Sequence, residues 1–117
     1  MNTTQRGKWG EGLAHNFLKN KGYEYVTKNF RSRFGEIDLI VKNSEFIVFV
    51  EVKVRKNADF AHAREFVSHS KQKKIRTTAN LWLSSRKTKL QPRFDVIEIY
   101  TSNENSVPEL NHIENAF

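Results

Sequence analysis

Apolar positions along this chain recur with helical spacing in some stretches and alternate with polar positions in others. Spacings of three and four residues predict a first helix from Thr4 to Lys21 and a second from about Ser68 to Ser84. Alternation predicts a strand from Tyr23 to Phe30, a two-stranded hairpin within Phe34 to Arg55, and an interior strand from Arg93 to Tyr100. The predicted order is αβββαβ, which is typical of an α/β domain whose mixed central sheet is flanked by helices.

The pattern predicts a single domain over residues 1–117, with its core at about 4–100. A chain of 117 residues can bury one core and is too short for two, and its 38% hydrophobic residues are too many for a disordered protein. The tail at 101–117 is expected to dock on that core. Leu110, Ile113 and Phe117 recur at helical spacing there, which predicts a short helical turn.

Charged residues interrupt the apolar hairpin at Phe34 to Arg55. A tight turn at Asn43-Ser44 would give the following pairs: Lys42 with Glu45, Ile40 with Ile47, Asp38 with Phe49, and Glu36 with Glu51. Strand alternation would then place Asp38, Glu51 and Lys53 on a face that otherwise carries Ile40, Ile47 and Phe49, while Ile37, Leu39 and Val41 share the opposite face. Carboxylates on such a face cost stability unless something compensates them.

A divalent cation is a candidate for that compensation. Mg²⁺ is usually held by one or two carboxylates together with water and substrate phosphate, and Mn²⁺ is an alternative with the same oxygen ligands. Asp38 and Glu51 could supply the carboxylates, and Lys53 could place an ammonium group beside a phosphodiester. The competing interpretation is a simple charge pair, because Glu-x-Lys is common on exposed strands.

Composition narrows the class of partner. The net charge of +7 favours a polyanion such as nucleic acid, although ribosome-bound and membrane-surface proteins share such a balance. The absence of cysteine excludes thiolate metal sites and a cysteine nucleophile, and fits a reducing cytoplasm. No apolar run approaches the roughly 20 residues that span a membrane. We therefore expect a cytoplasmic protein that does not have a membrane as a partner.

Several basic side chains are candidates for contact with phosphates. Arg31 and Arg33 precede the hairpin, and Lys71 and Lys74 share with Thr78 one outer line of the second helix. The full candidate set is Arg31, Arg33, Arg55, Lys71 and Lys74. The alternative for each is a solvated surface charge.

Glu11 lies at the margin of the apolar face of the first helix. The simplest interpretation of this acid is a favourable interaction with the helix dipole. Spacing alone does not bring Glu11 into the site.

Nearly the whole chain resembles the YraN family, small bacterial proteins similar to Holliday-junction resolvases of the PD-(D/E)XK nuclease superfamily. The resemblance is carried by Gly10-Glu11 with Ala14 and Leu18, Asn29-Phe30-Arg31, Gly35-Glu36-Ile37-Asp38-Leu39-Ile40, Val48-Phe49-Val50-Glu51-Val52-Lys53 with Arg55, Lys71 with Ala79, Arg93-Phe94-Asp95 and Asn115-Ala116-Phe117.

The resemblance implies a restriction-endonuclease-like fold and a metal-dependent endonuclease acting on DNA. It implies that Asp38, Glu51 and Glu11 are metal ligands and that Lys53 is the catalytic lysine. Symmetric cleavage of a four-way junction would further require a homodimer. A non-catalytic nucleic-acid-binding protein that retains the fold is the alternative, because a fold does not establish an activity.

Overall fold

A five-stranded mixed sheet carries one helix on each face. The computed structural model describes residues 2–55, 67–101 and 107–117. Along the chain, these residues form α1 (Thr3–Asn20), β1 (Glu24–Ser32), β2 (Gly35–Lys42), β3 (Phe46–Arg55), α2 (His69–Ser84), β4 (Gln91–Tyr100) and β5 (Glu109–Ile113). The strands lie in the order β1-β2-β3-β4-β5. Only the β3–β4 pairing is parallel within this sheet, and α2 lies between these two strands in sequence.

The helices begin and end where local chemistry stabilises them. The Asn2 and Gln5 side chains each accept a hydrogen bond from the other's backbone N–H, which forms a capping box at the start of α1. Gly22 follows α1 with a φ of 96°, a conformation that a glycine adopts without strain. Ser68 caps α2 by accepting the backbone N–H of Lys71.

Each face of the sheet buries its own apolar cluster. The α1 face contains Ala14, Leu18, Tyr23, Leu39, Val41, Val48, Val50, Ile97 and Ile99. The α2 face contains Ile37, Ile40, Ile47, Phe49, Val67, Ile75, Ala79, Trp82 and Val96. The mixed sheet with helices on both sides confirms the predicted α/β class and is consistent with a nuclease-like fold.

A close approach between α1 and β3 depends on a glycine. A Cβ atom added at Gly10 would lie 2.5 Å from Cγ2 of Val54, a distance that real side chains do not adopt. The missing side chain therefore lets the helix pack directly on the strand. The neighbouring residue Glu11 is thereby carried toward the end of the sheet that holds Asp38.

The C-terminal segment forms a strand where a helical turn was predicted. Leu110 and Ile113 belong to β5, which pairs antiparallel with β4, so the predicted turn is wrong. The edge of β4 offers backbone hydrogen-bonding groups, and pairing them stabilises more than an isolated turn would. The chain then continues to Ala116, whose N–H donates to the Phe94 carbonyl at 2.7 Å.

The hairpin register also differs from the prediction. Lys42 pairs with Ile47 and Ile40 with Phe49, a shift of two residues from the predicted pairs, because the turn lies at Ser44-Glu45, one residue further along the chain, where the Asn43 N–H donates to the Phe46 carbonyl at 3.0 Å. The Asn43 side chain stabilises this turn by accepting the N–H groups of Glu45 and Phe46.

One predicted face assignment is wrong as well. Ile37 packs in the α2-face cluster, whereas Leu39 and Val41 pack in the α1-face cluster. Regular alternation of side chains along β2 therefore fails at its beginning, next to Asp38.

Neither helix in the described residues is long and apolar enough to cross a membrane.

Candidate active site

Asp38 lies where the pairing of β2 with β3 ends. The last paired residues are Leu39 and Val50. Beyond them, Oδ2 of Asp38 accepts a hydrogen bond from the Val52 N–H at 2.8 Å. A side chain thus takes the position of a backbone partner and fixes the carboxyl group against β3. The predicted pairings of Asp38 with Phe49 and of Glu36 with Glu51 are wrong, because the register of β2 and β3 is shifted by two residues.

The carboxyl groups of Asp38 and Glu51 lie close together, and each shifts the pKa of the other. Burial, followed by hydrogen bonding with Glu51 and its negative charge, raises the pKa of Asp38 to about 9, although the Val52 N–H opposes the shift. Asp38 is therefore the protonated member of the pair.

Glu51 is the charged member of the pair. Burial alone would raise the pKa of Glu51, but the hydrogen bond from Asp38 and the charges of Lys71 and Lys53 lower it below its ordinary value. Lys71 Nζ lies 3.1 Å from Oε2 of Glu51. That buried oxygen has no hydrogen bond of normal geometry among the described residues, so the ammonium group acts on it mainly through charge.

Two lysines meet at Glu51 from different elements. Burial lowers the pKa of Lys53, and the neighbouring Lys71 lowers it further, while Glu51 opposes the change. Burial also acts to lower the pKa of Lys71, but Glu51 and the contact with Lys53 outweigh it and raise that pKa. Lys71 is therefore the firmly charged partner of Glu51, and Lys53 is the amine that releases its proton more readily.

Glu11 approaches this site without joining the carboxyl pair. Its charge contributes to the raised pKa of Asp38, and its Oε1 accepts a hydrogen bond from Asn29 Nδ2 at 3.5 Å. Asn29 has a φ of 52°, a left-handed conformation that asparagine tolerates, and this turns its side chain toward α1. In residues 2–55, 67–101 and 107–117, no three or more His, Cys, Asp or Glu side chains are grouped as a metal site.

Two carboxylates are nevertheless enough for the cation that the sequence predicts. Mg²⁺ is commonly bound through one or two carboxylates, with water and phosphate as the remaining ligands. The buried Glu51 Oε2, which lacks a regular hydrogen-bond donor in the described chain, is a suitable ligand atom. Asp38 and Glu51 therefore fit a divalent cation, with Glu11 as a neighbouring negative charge.

The predicted outer line of α2 is wrong at Thr78. Thr78 is fully buried, and its Oγ1 lies 2.9 Å from the Ser32 hydroxyl oxygen. Lys74 is exposed as predicted, whereas the partly exposed Lys71 reaches Glu51. Helical spacing could not reveal this, because apolar residues flank the line on only one side and basic residues lie all around it.

The predicted basic residues Arg31 and Arg33 lie at the turn between β1 and β2, the hairpin tip, together with Lys74. Arg31 Nε is 3.4 Å from a carboxylate oxygen of Glu36, and the Arg33 guanidinium lies 4.8 Å from the ring centre of Phe34. Lys74 packs its Cβ beside Gly35, which brings its exposed side chain to this tip. We call Arg31, Arg33 and Lys74 the tip cluster.

Arg55, the remaining predicted basic residue, ends β3. Its carbonyl accepts the Thr101 N–H at 3.1 Å, and its charge acts on the pKa of Lys53. The structure therefore places Arg55 on the far side of Lys53 from Glu51 along the strand.

Sequence reasoning missed a buried ionic network beneath the α1 face. Asp95 is fully buried and accepts two hydrogen bonds from Arg93, at 2.9 and 2.8 Å. His112 Nε2 lies 2.7 Å from Asp95 Oδ2, and the Asn115 N–H donates to Asp95 at 3.0 Å. This network ties β5 and the chain end to β4. The available signal was the Arg-x-Asp spacing on an otherwise apolar strand.

Sequence reasoning also missed a second buried acid, Glu98, which lies on the α2 face. Glu98 is 4% exposed and pairs in register with Lys53 across the parallel strands. Its carboxylate accepts hydrogen bonds from the Tyr100 hydroxyl and from Asn111 Nδ2, the latter at 3.0 Å. These contacts compensate the charge of Glu98. Burial, followed by the hydrogen bond to Glu98 and its negative charge, raises the pKa of Tyr100.

The fold and the site together define an α/β domain with a buried carboxyl pair and two lysines at one end of its sheet. The chain belongs to the uncharacterised protein family UPF0102, whose model matches residues 10–99. This confirms the resemblance to the YraN family.

Relatives match over the whole chain. A UPF0102 protein from Caldicellulosiruptor saccharolyticus is 41% identical over 118 residues, covering 100% of both chains. One from Caldicellulosiruptor bescii is 44% identical over 119 residues, again covering 100% of both. One from Clostridioides difficile is 42% identical over 118 residues with the same coverage. These names state no activity.

Proposed function

We propose that this protein is a metal-dependent endonuclease that hydrolyses phosphodiester bonds of DNA, with a preference for branched structures. The observation that carries the proposal is the convergence of Asp38, Glu51 and Lys53 at one point of a largely apolar face. Such an arrangement costs folding free energy, which a functional role would explain.

The carboxyl pair supplies the binding site for Mg²⁺, or for Mn²⁺ as the alternative. A bound divalent cation would polarise the phosphate and stabilise its developing charge. Asp38 would have to lose its proton to become a ligand, and its raised pKa means that cation binding and proton release are linked. Glu11 is proposed to help hold the cation through its charge beside Asp38.

Lys53 is suited to act on the attacking water. Its lowered pKa makes the Nζ atom a better proton acceptor than an ordinary lysine at neutral pH. The β3 backbone holds Lys53 two residues beyond Glu51, so both side chains reach the same face of the sheet. We therefore assign Lys53 the role of receiving the proton from water at Nζ.

Positive charge around the site supports a nucleic-acid substrate. The chain carries a net charge of +7, and the tip cluster lies at the same end of β2 as Asp38. Its residues, with Arg55 and Lys71, would bind phosphates on either side of the reacting bond. The positive net charge is consistent with the proposed activity on DNA, a polyanion, in the cytoplasm. Symmetric cleavage of a four-way junction would require two copies of the site and hence a homodimer.

A cleavage screen tests the proposal directly. Labelled duplex, flapped, single-stranded and four-way-junction DNA would be incubated with the protein and Mg²⁺ or Mn²⁺. We expect metal-dependent products with wild type and none with Asp38→Asn. Equal cleavage by both proteins would refute the mechanism.

The second candidate is a nucleic-acid-binding protein without catalytic turnover. The exposed tip cluster favours it, because basic side chains bind phosphates without any need for a cation. This candidate predicts salt-dependent binding with no product on any substrate of the panel.

A further inference from the structure

Lys71 enters the site from a different element than the other charged residues. It lies in the first turn of α2, whereas Asp38 and Glu51 are fixed in adjacent strands. Its Nζ is 3.1 Å from Glu51 Oε2, and its side chain is 42% exposed against 7% for Glu51. The carboxylate is therefore locked in place, and the lysine has an open route to solvent.

We propose that Lys71 is an internal counter-ion of Glu51 that a divalent cation displaces on binding, which frees its ammonium group for a phosphate of the nucleic acid. This inference rests on the proposed function, because it assumes that the carboxyl pair binds the cation. In this proposal Lys71 neutralises and positions Glu51 within the site before the cation binds, in addition to contacting nucleic acid at the surface.

Competition for one oxygen atom is the basis of the proposal. Glu51 Oε2 is buried and has no regular hydrogen bond within the described residues, so Lys71 is the main positive charge acting on it. A divalent cation at that oxygen would repel an ammonium group about 3 Å away, strongly so in a poorly solvated site. Both charges cannot remain on Glu51 together.

Lys71 is the residue that moves, because Lys53 is tied to the same strand as Glu51. The next turn of α2 carries Lys74, whose exposed side chain lies at the hairpin tip beside Gly35. A Lys71 side chain released from Glu51 would turn toward solvent on this side, next to the tip cluster. It would then extend the positive surface at the point where the reacting phosphate must enter.

Isothermal titration with Mn²⁺ tests the displacement without any measurement of cleavage. Lys71→Met retains the aliphatic stem and removes the charge, so packing of α2 is preserved. Lys73→Met is the matched control, because Lys73 is exposed on the same helix and its removal changes the net charge equally. We expect Lys71→Met to bind Mn²⁺ about tenfold more tightly than wild type, as removal of a competitor requires. Lys73→Met should bind as wild type does.

Three results would overturn the inference. Equal Mn²⁺ affinity of Lys71→Met, Lys73→Met and wild type would refute the displacement and leave the proposed function intact. Weaker binding by Lys71→Met would mean that the lysine supports the cation. No Mn²⁺ binding by any of the three proteins would remove the proposed metal site, and the inference with it.

Fluorescence anisotropy tests the second half of the proposal. A labelled DNA duplex would be titrated with and without Ca²⁺, as a probe for the divalent site. Wild type should gain DNA affinity when Ca²⁺ is added, and Lys71→Met should gain several-fold less because it has no ammonium group to release. Equal gains in the two proteins would refute the transfer of Lys71 to a phosphate.

Discussion

The Asp38 carboxyl oxygen Oδ2 accepts the backbone N–H of Val52 at 2.8 Å, just beyond the last backbone pair between β2 and β3. Val52 lies between Glu51 and Lys53. The bond therefore positions Asp38 against the two residues with which it is proposed to act. Two neighbouring strands thus assemble this part of the site.

Asp38→Asn should abolish cleavage and preserve the fold. Asp38 is protonated in the folded protein, so an amide can accept the Val52 N–H and donate to Glu51 in its place. We expect the free energy of unfolding to stay within about 1 kcal/mol of wild type. The cleavage rate should fall by at least about a hundredfold, because a neutral amide cannot replace a carboxylate ligand. Urea denaturation and a gel-based cleavage assay measure the two effects.

Glu36→Gln is the control for this substitution. Glu36 is an exposed acid two residues before Asp38, and its ion pair with Arg31 lies on the surface. The variant should cleave as wild type does. A comparable loss of rate in Glu36→Gln would mean that general charge near the hairpin, rather than the carboxyl pair, sets the activity.

Asp95 should make the protein sensitive to acid. Burial would raise the pKa of Asp95, but hydrogen bonds from His112, Arg93 and the Asn115 N–H lower it below its ordinary value. A group with a lowered folded pKa contributes stability above its unfolded value of 3.8, and that contribution is lost as the pH falls through the folded value. Urea midpoints measured from pH 7 downward should therefore fall below about pH 4.

Asp95→Asn should reduce this acid dependence by removing the titrating group. At pH 7 it should cost about 3 kcal/mol, because Arg93 is left buried without its partner. The difference between variant and wild type should shrink as the pH falls. Glu109→Gln, at an exposed position of β5, is the control and should follow wild type. A constant difference at all pH values would contradict the assignment.

Two glycines of α1 should respond to alanine with opposite signs. Gly12→Ala should stabilise by up to about 1 kcal/mol, because alanine favours helix and its Cβ meets nothing within 4 Å. Gly10→Ala should destabilise by about 1 kcal/mol or more, because its Cβ would overlap Val54. Thermal and urea denaturation of both variants measure the difference. Equal stabilisation by the two would mean that α1 does not pack closely on β3.

Lys74→Ala should weaken nucleic-acid binding more than loss of a remote charge does. If Lys74 contacts a phosphate, the slope of log affinity against log salt concentration should decrease by about 1. Lys87→Ala is the matched control, because it lies beyond the other end of α2, which is itself about 15 Å from Lys74 at 1.5 Å per residue. Anisotropy titrations at several salt concentrations give both slopes. Identical slopes for the two variants would indicate a general effect of net charge.

The order of the first six elements could be predicted because local patterns produce them. Helical spacing in α1 and alternation in β2 and β3 reflect burial of one side of each element. The same alternation placed Asp38, Glu51 and Lys53 together. This grouping holds although the register is shifted by two residues and alternation along β2 fails next to Asp38, because the Val52 N–H fixes the Asp38 carboxyl group against β3.

The features that were not predicted all depend on contacts between residues that lie far apart in the sequence. The strand β5 depends on the free edge of β4, and the network around Asp95 joins residues that lie far apart in the sequence. Lys71 was predicted on an outer line of the helix as a candidate phosphate contact, and its approach to Glu51 was missed, because a basic helix with few apolar residues does not indicate which of its faces meets the sheet.

The sequence by itself determined the α/β class and the carboxylates and lysine of the hairpin, since these follow from short-range periodicity. Only the tertiary structure decided that the pKa values of Asp38 and Glu51 move in opposite directions, that Lys71 lies 3.1 Å from Glu51, and that Glu11 stands beside the pair. Burial and charge at this site arise from α1, α2 and two strands together, and the separation of such groups in space is not encoded in their separation along the chain.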